Sequence, residues 1–343
     1  MKILVVGTYK WSMYSPAFVS GFKELGHIVG CFDTESYKQA KTAIEKISRK
    51  LSFTYHIGLR ILKINRDLIS KIENDRPDVV FFYKCYEFYP STYKRIKALG
   101  ITCVSYNNDD PFSNVLRKTW DDWFLKSLRY CDINYVYRKK NILDYKKMGI
   151  NNAKVLLPYF LKGQNRFVKT DKDIPVGFIG HYENDGRDLI VKYLLDNNIP
   201  IQIFGKEHWK SSFIYDEICQ CIKTSKMGDE YNYTINRFQI ALVFLSKLNH
   251  DTYTRRCFEI PATKTLMLCE YSDDMNSLFP ENECAVYFRS KEDLAEKIKY
   301  LLCNPGEIDR IAKNGFERLK VIGGSEVDRC SEIISDVTVL NSI

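Results

Sequence analysis

The strongest constraint in this sequence is an alternation of short apolar segments with helical stretches, which occurs in both halves of the chain. In the first half, segments rich in β-branched and aromatic residues predict strands at Lys2–Val6, Ile28–Phe32, Val79–Tyr83, Thr102–Tyr106 and Ile133–Val136. Helical patterns lie between them, at about 15–25, 39–74, 90–98, 113–130 and 139–147. This alternation predicts a parallel sheet with helices on both of its faces.

The alternation stops and then restarts. Residues 157–175 are rich in Pro, Gly, Asn and Asp, which is typical of a linker. Beyond it, strands are predicted at Val176–Ile179, Ile201–Phe204, Ile240–Leu245, Thr265–Cys269 and Ala285–Phe288, and helices at about 187–197, 257–263, 274–279, 291–303 and 305–319. The 343 residues therefore predict two α/β domains, 1–165 and 166–343.

Composition excludes several classes of protein. The eleven cysteines are scattered, with no CxxC pair and no Cys/His cluster at zinc spacing, so neither a disulfide framework nor a structural metal is expected. No apolar run approaches the ~20 residues of a membrane-spanning helix. The apolar start, Met1 to Gly7, lacks the features of a signal peptide. We expect a cytoplasmic protein.

The charge is divided unequally along the chain. Residues 1–170 hold 30 Lys and Arg against 15 Asp and Glu, whereas residues 171–343 hold 21 against 28. The basic stretch 38–72 combines nine Lys and Arg with apolar residues at helical spacing. Such helices can rest on the anionic inner face of the cell membrane as a peripheral contact. The alternative is a pair of ordinary helices packed on the sheet with a solvated basic face.

The familiar phosphate-binding motifs are absent. Gly7 ends the first strand, but the residues after it, Thr8 to Ser12, complete neither GxGxxG nor GxxxxGK[ST]. Dinucleotide and ATP sites of the usual kind are therefore disfavoured, and Gly7 is explained by a tight strand-to-helix turn.

A denser signal lies between the predicted strands Ile240–Leu245 and Thr265–Cys269. Arg255 and Arg256 stand at the start of a short predicted helix, and Glu259 follows three residues later. Arginine forks together with helix N-terminal amides suit a diphosphate, and a carboxylate can accept hydrogen bonds from two vicinal ribose hydroxyls. The alternative is a surface ion pair between one of the arginines and Glu259.

Several motifs in this half resemble those of one family. They are Arg256-x-Phe-Glu259-Ile-Pro-Ala, Leu266-Met-Leu-Cys-Glu270, Met275…Leu278-Phe279, Glu281-Asn-Glu-Cys-Ala-Val-Tyr-Phe, Asn304-Pro and Ile311-Ala-Lys-Asn-Gly315, preceded by Val176-Gly-Phe-Ile-Gly180-His and Ile203-Phe-Gly205-Lys. In these motifs the chain resembles the CgeB-like (spore-maturation-protein-type) glycosyltransferases. The resemblance covers most of residues 78–320 and is most specific over 240–320.

The resemblance implies a GT-B fold, in which two Rossmann-like domains with parallel sheets face an interdomain cleft. The C-terminal domain would bind a nucleoside-diphosphate sugar, with UDP as the nucleotide expected first, and the N-terminal domain a glycan or polyprenyl-linked acceptor. It implies a bacterial enzyme of cell-surface polysaccharide biosynthesis. No prosthetic group or catalytic metal is expected, because cationic side chains and a helix N-terminus stabilise the leaving diphosphate in such enzymes.

The resemblance also implies roles for individual residues. Glu259 would bind the ribose, and Arg256, preferred to Arg255, the diphosphate. Further donor contacts would come from Lys206, Gly205, Gly180 and His181. Asp251 would contact the sugar, but the chain has Asp-x7-Glu where many retaining enzymes have Glu-x7-Glu, so retention and inversion both stay open.

Asp109 and Asp110 follow the predicted strand Thr102–Tyr106 and are the first candidates for the base that an inverting transfer needs. Their alternative is an Asx turn leading into Pro111. Glu87 is a weaker candidate.

Two other functions are compatible with the sequence. A nucleotide-sugar epimerase or hydrolase on the same fold would need no acceptor. A non-catalytic GT-B-like structural or nucleic-acid-binding protein would use the basic half, with bases stacked on Tyr83, Tyr86, Tyr89 and Tyr93. The motifs favour the transferase, so no nucleic acid is expected as a partner.

Overall fold

A computed structural model describes residues 1–113 and 121–342, which divide into two units. Unit 1 comprises Met1–Leu157 and Glu326–Ile343, and unit 2 comprises Pro158–Ser325. The prediction of an α/β protein is confirmed, because each unit contains a six-stranded sheet in which all strand pairs are parallel.

The strands follow the predicted apolar segments closely. They are β1 Lys2–Gly7, β2 Ile28–Asp33, β3 Val79–Tyr83, β4 Thr102–Asn107, β5 Ile133–Val136, β6 Ala153–Val155, β7 Ile174–Ile179, β8 Ile201–Phe204, β9 Ile222–Lys223, β10 Phe238–Val243, β11 Leu266–Glu270 and β12 Val286–Phe288. Only the edge strands β6 and β9 were not predicted, since three and two residues are too few to show an alternating pattern.

The helices cover both faces of each sheet. They are α1 Ser15–Glu24, α2 Ala43–Tyr55, α3 Leu59–Asp75, α4 Pro90–Ala98, α5 Asp121–Ser127, α6 Lys139–Lys147, α7 Arg187–Asp196, α8 Lys206–Trp209, α9 Tyr215–Ile218, α10 Gly228–Asn236, α11 Arg256–Ala262, α12 Asp273–Leu278, α13 Lys291–Cys303, α14 Pro305–Val321 and α15 Glu326–Asn341. Part of the predicted helix 113–130 lies outside the described residues. No helix in the described ranges is both long and apolar enough to cross a membrane.

Strand order places the carboxyl ends of central strands together. The sheet of unit 1 has the order β2-β1-β3-β4-β5-β6, and that of unit 2 has the order β12-β11-β10-β7-β8-β9. In unit 2 the chain winds outward in opposite directions from the neighbouring strands β7 and β10. Ligands of open parallel sheets bind at the carboxyl ends of the strands where the winding direction changes.

The predicted helix 39–74 is in fact two helices, α2 and α3. The break falls at His56, with φ of 54°, and at Gly58, with φ of 91°. Both values lie in the left-handed region, which ends a helix and which glycine adopts without strain. Thr42 begins α2 with a capping box that it shares with Glu45.

The division into units differs from the predicted boundary at residue 165. The chain leaves unit 1 at Leu157, and α15 returns to it instead of staying with unit 2. Asp336 of α15 accepts a hydrogen bond from the Tyr135 hydroxyl at 2.7 Å and pairs with Lys154 at 2.8 Å. These contacts join residues about 200 positions apart, so no local pattern could have assigned α15 to unit 1.

Packing of α15 against α1 gives a test of this arrangement. A Cβ on Gly21 would lie 2.6 Å from Cys330 Sγ and 3.0 Å from the main-chain oxygen of Glu326. We expect Gly21→Ala to lower the free energy of unfolding by about 1–3 kcal/mol, as overpacking does. Urea unfolding measures it. Gly306→Ala, where the added Cβ meets nothing within 4 Å, is the control and should not destabilise. Equal stabilities of the two variants would contradict this packing.

Candidate functional site

The carboxyl ends of β7 and β8 approach each other closely in unit 2. Gly180 follows β7 and donates its N–H to the Phe204 oxygen at 3.1 Å. Gly205 follows β8, and a Cβ placed on it would lie only 2.2 Å from the Gly180 oxygen. Any side chain at position 205 would therefore push the two strand ends apart. The two predicted donor-site glycines are brought together by this contact.

Arg256 lies against the same strand end. A Cβ on Gly180 would lie 2.8 Å from Arg256 Nη1, and the guanidinium carbon is 5.6 Å from the centre of the Phe178 ring. Arg256 Nε is buried and has no hydrogen-bond partner, and no carboxylate among the described residues pairs with this side chain. A half-buried guanidinium without a counterion is a ready partner for an anion such as a phosphate.

Glu259 has a different environment from Arg256. Its side chain is buried, pairs with Arg255 Nε at 2.7 Å and accepts a hydrogen bond from the Tyr231 hydroxyl. Burial and the neighbouring carboxylate raise the pKa of Tyr231 well above its ordinary value. The ion pair considered as an alternative thus forms with Arg255, and Arg256 is left for another partner. A carboxylate has about four acceptor positions, so Glu259 keeps capacity for a further donor.

Lys206 and two histidines also lie just beyond the carboxyl ends of β7 and β8. Lys206 is exposed at the start of α8, directly after Gly205, and no carboxylate in the described ranges pairs with it. His181 follows Gly180, and its ring stacks on that of His208 with the centroids 3.7 Å apart. His208 could not be predicted as part of this edge, because it is placed there by its contact with a residue 27 positions earlier.

His181 is held neutral. Burial, together with the nearby His208, Arg256 and Arg187, lowers the pKa of His181 to about 4. Arg187 also donates a hydrogen bond to the main-chain oxygen of His181 at 2.8 Å. Arg187 is itself paired with Asp185 at 2.6 Å, so Arg256 is the cation beside this imidazole that favours an anionic ligand at the strand ends.

Asp251 lies in the loop between β10 and α11. Asn249 Nδ2 donates to its carboxylate at 3.3 Å, and its own N–H donates to the Ser246 oxygen at 2.9 Å. Ser246 Oγ in turn donates to Glu183, which follows β7, at 2.6 Å. Hydrogen bonds therefore tie the loop that carries Asp251 to the strand edge that carries Gly180 and His181.

The two predicted base candidates of unit 1 have different surroundings. Asp110 is 1% exposed and accepts hydrogen bonds from Asn141 Nδ2 at 2.8 Å and from the Phe112 N–H at 3.0 Å. This is the Asx-type turn that the sequence offered as an alternative. Asp109 is partly exposed and pairs with Lys84 Nζ at 2.7 Å. Only Asp109 presents a carboxylate that an external hydroxyl could reach.

A cavity of about 830 Å³ opens beside Asp109 within unit 1. Glu87 lies in its wall, largely buried and paired with Lys38 at 2.6 Å. This pairing makes Glu87 a part of the wall and a weaker base candidate than Asp109.

The tyrosines considered for nucleic-acid binding do not form a stacking surface. Tyr83 and Tyr93 are buried in the core of unit 1, at 2% and 0% exposure. The Tyr89 hydroxyl donates to the His56 oxygen at 2.8 Å. Bases could not stack on Tyr83 or Tyr93 without disrupting the core, so the four rings offer no common surface for the nucleic-acid alternative.

Residues 187–322 match the model of a protein family described as glycosyl transferase-like. The match covers the part of unit 2 that contains Lys206, Asp251, Arg256 and Glu259. It confirms the resemblance to glycosyltransferases, whereas the CgeB-like subgroup stays a prediction. No curated protein matches the chain in sequence.

Solved structures are similar to the chain over its whole length. Sucrose-phosphate synthase from Thermosynechococcus elongatus has a TM-score of 0.70 at 11% identity, covering 100% of this chain and 99% of that one. HepE from Anabaena, solved in complex with UDP-glucose, has a TM-score of 0.70 at 10% identity, covering 99% and 100%. A glycosyltransferase from Rickettsia africae has a TM-score of 0.63 at 11% identity, covering 97% of each chain. The similarity is one of fold, and the predicted GT-B fold is confirmed.

The lowered pKa of His181 predicts how stability depends on pH. Below its ordinary pKa of 6.5 the unfolded chain binds a proton at His181 that the folded protein does not bind until about pH 4. Stability from this residue is therefore complete above pH 6.5 and is lost as the pH falls toward 4. When the pH is lowered from 7 to 5, we expect the free energy of unfolding to decrease less in His181→Asn than in the wild type. Urea titrations at both pH values measure it.

His250→Asn, a histidine substitution in the same unit, is the control for that experiment and should follow the wild type. If His181→Asn lost as much stability as the wild type over this pH range, the neutral state of His181 would be disproved.

Proposed function

We propose that this protein is a glycosyltransferase that moves a sugar from a nucleoside-diphosphate donor, with UDP as the nucleotide, to a hydroxyl of a cell-surface glycan or a lipid-linked precursor. The observation that carries the proposal is that the guanidinium of Arg256 lies against Gly180 and has no carboxylate partner among the described residues. Arg256 and Lys206, which begins the helix after β8, both fall within the region that matches the glycosyl transferase-like family. The complexes of HepE with UDP and UDP-glucose support the choice of nucleotide.

Each residue of the strand edge has a role in this proposal. Arg256 and Lys206 bind the diphosphate, and the main chain at Gly180 leaves room for it to approach. Glu259, fixed by Arg255 and Tyr231, accepts hydrogen bonds from the ribose hydroxyls. Asp251 contacts the sugar from its loop.

Transfer breaks the bond between the anomeric carbon and the β-phosphate oxygen and forms a bond from that carbon to the acceptor oxygen. The acceptor proton passes to a base, for which we propose Asp109. The departing nucleoside diphosphate gains negative charge, which Arg256 and Lys206 stabilise where it develops. We therefore propose that the reaction needs no metal, since these two cations supply the charge neutralisation. Direct displacement of this kind inverts the anomeric centre.

Replacement of Arg256 tests the donor site. We expect Arg256→Gln to weaken UDP binding by about ten- to a hundredfold, because a hydrogen bond to a charged group contributes about 1.5–3 kcal/mol. Isothermal titration with UDP in the presence of EDTA measures the affinity and the metal requirement together. Arg310→Gln, which removes an arginine that pairs with Glu307 on α14, is the control and should bind UDP like the wild type.

Asp109→Asn separates binding from chemistry in the same experiment. This variant should bind UDP with the affinity of the wild type. When acceptors are supplied, it should form UDP from UDP-sugars ~10²–10⁴-fold more slowly, as expected for loss of a general base. Unchanged UDP affinity in Arg256→Gln would disprove the donor site. Normal transfer by Asp109→Asn would disprove the base alone.

The exposed face of α2 supports the predicted peripheral membrane contact. Ser52 is the only buried residue of this helix, whereas Ile44, Ile47, Leu51 and Tyr55 form one row and are 80%, 62%, 49% and 54% exposed. In contrast, α3 buries Ile61, Leu68 and Ile72 and packs as an ordinary helix. We propose that the apolar row of α2 rests on an anionic lipid bilayer, with the surrounding Lys and Arg attracted to the headgroups.

Vesicle binding tests this contact. The protein should sediment with vesicles that contain phosphatidylglycerol, and the triple substitution Ile44→Ser, Ile47→Ser, Leu51→Ser should abolish most of the binding, since each buried side chain contributes about 1.5–3 kcal/mol. The double substitution Phe213→Ser, Val321→Ser removes two apolar residues of unit 2 that are 91% and 76% exposed, and it is the control. Undiminished sedimentation of the α2 variant would contradict the proposed contact.

A further inference from the structure

The cavity of unit 1 has more positive charge than its own carboxylates can match. Its volume is about 830 Å³. The charged side chains that line it are the cations Lys38, Lys46, Arg49, Lys50 and Lys84 and the carboxylates Glu35, Glu87, Asp109 and Asp110. His56 also lines it, but burial lowers the pKa of this histidine, so it adds no cation at neutral pH.

Every one of the four carboxylates already has a partner. Lys38 pairs with both Glu35 and Glu87, at 3.2 and 2.6 Å. Lys84 pairs with Asp109, and Asp110 is held by Lys140 and Asn141. Among the described residues that line the cavity, no carboxylate is therefore left to neutralise a further cation.

Three cations of α2 remain without a carboxylate partner. Lys46, Arg49 and Lys50 have the spacing i, i+3, i+4, which places them on one face of the helix. Within the described parts of the chain no acidic side chain pairs with any of them, and Arg49 donates only to the main-chain oxygen of Lys38, at 3.1 Å. Three like charges on one helix face repel each other unless an anion lies between them.

We propose that this cavity binds a phosphate-bearing ligand, with Lys46, Arg49 and Lys50 holding its phosphate. An arginine fork flanked by lysines suits the three charged oxygens of a phosphate or diphosphate. A cavity of this volume is also large enough for a sugar or alcohol attached to the phosphate. Phe53 gives it an apolar portion.

Asp109 lies in the wall of the same cavity, so the ligand that we infer is the acceptor of the proposed transfer. In that position the phosphate is held by α2, and a hydroxyl of the same molecule is presented to Asp109. This identification as the acceptor rests on the proposed function, whereas the binding of a phosphate-bearing ligand does not. The phosphate could be that of a lipid-linked precursor or of a soluble sugar phosphate, which share the recognised group.

Binding of inorganic pyrophosphate tests the site. Arg256→Gln serves as the background, because it removes the proposed phosphate contact of unit 2. In this background we expect pyrophosphate to bind and to slow hydrogen exchange in a peptide spanning 43–56. Adding the triple substitution Lys46→Gln, Arg49→Gln, Lys50→Gln should weaken pyrophosphate binding about tenfold. Binding should weaken with increasing salt. These substitutions should leave the fold intact, since α2 buries only Ser52.

Lys23→Gln, Lys94→Gln, Lys146→Gln is the matched control, because it removes three exposed lysines of other unit 1 helices that do not line the cavity. This variant should bind pyrophosphate as tightly as the background. Equal weakening in both triple variants, or no protection of residues 43–56, would overturn the proposal.

Farnesyl diphosphate and UDP are two further test ligands. The first distinguishes a lipid-linked from a soluble phosphate ligand, and the second separates the cavity proposal from the proposed function. Farnesyl diphosphate binding at least tenfold tighter than pyrophosphate would identify a lipid-linked ligand, and equal affinity a soluble one; both outcomes support a phosphate site. UDP binding by the wild type without pyrophosphate protection of α2 would overturn the cavity proposal alone. Protection of α2 in a protein that binds no UDP would overturn the proposed function and leave the cavity site supported.

Discussion

The contact between the main chains of Gly180 and Gly205 is the constraint on which the candidate donor site depends. Because neither position carries a Cβ, β7 and β8 end against each other, and the guanidinium of Arg256 can lie directly over the strand end. The consequence is a cation at the carboxyl edge of a parallel sheet, at the point where the winding direction changes, with no carboxylate partner in the described ranges. Lys206 and the stacked pair His181 and His208 gain their positions from the same two strand ends.

Adjacent residues of identical type have opposite roles in both units. Arg255 forms an ion pair with Glu259, whereas Arg256 has no counterion in the part of the chain that the structure describes. Asp110 caps a turn inside the core, whereas Asp109 stays partly exposed in the cavity wall. In each pair one member builds the local structure that presents the other, so the chemistry of the site depends on which residue is buried. A substitution at the structural member would therefore also change the functional one.

Much of the fold could be predicted, because the buried strands are continuous apolar runs bounded by glycine and polar residues. Ile201–Phe204 and Ile133–Val136 were predicted to the residue. Short edge strands and α15 could not be found, since their positions are set by distant contacts such as that of Tyr135 with Asp336. For the site, the motifs identified candidate residues such as Arg256 and Glu259. They could not predict which of Arg255 and Arg256 forms the ion pair, or that His208 stacks on His181, because these contacts depend on the folded structure.

Because α15 belongs to unit 1, the two units can complete their folding only in a certain order during synthesis. All of unit 2 lies in the sequence between the two segments of unit 1. The side of α1 that carries Gly21 lacks its covering helix until residues 326–341 have left the ribosome. Unit 2 is continuous in sequence and can complete its sheet first. The sheet of unit 1, which carries the basic cavity, is therefore fully enclosed later than the sheet of unit 2, although its strands β1 to β6 are made earlier.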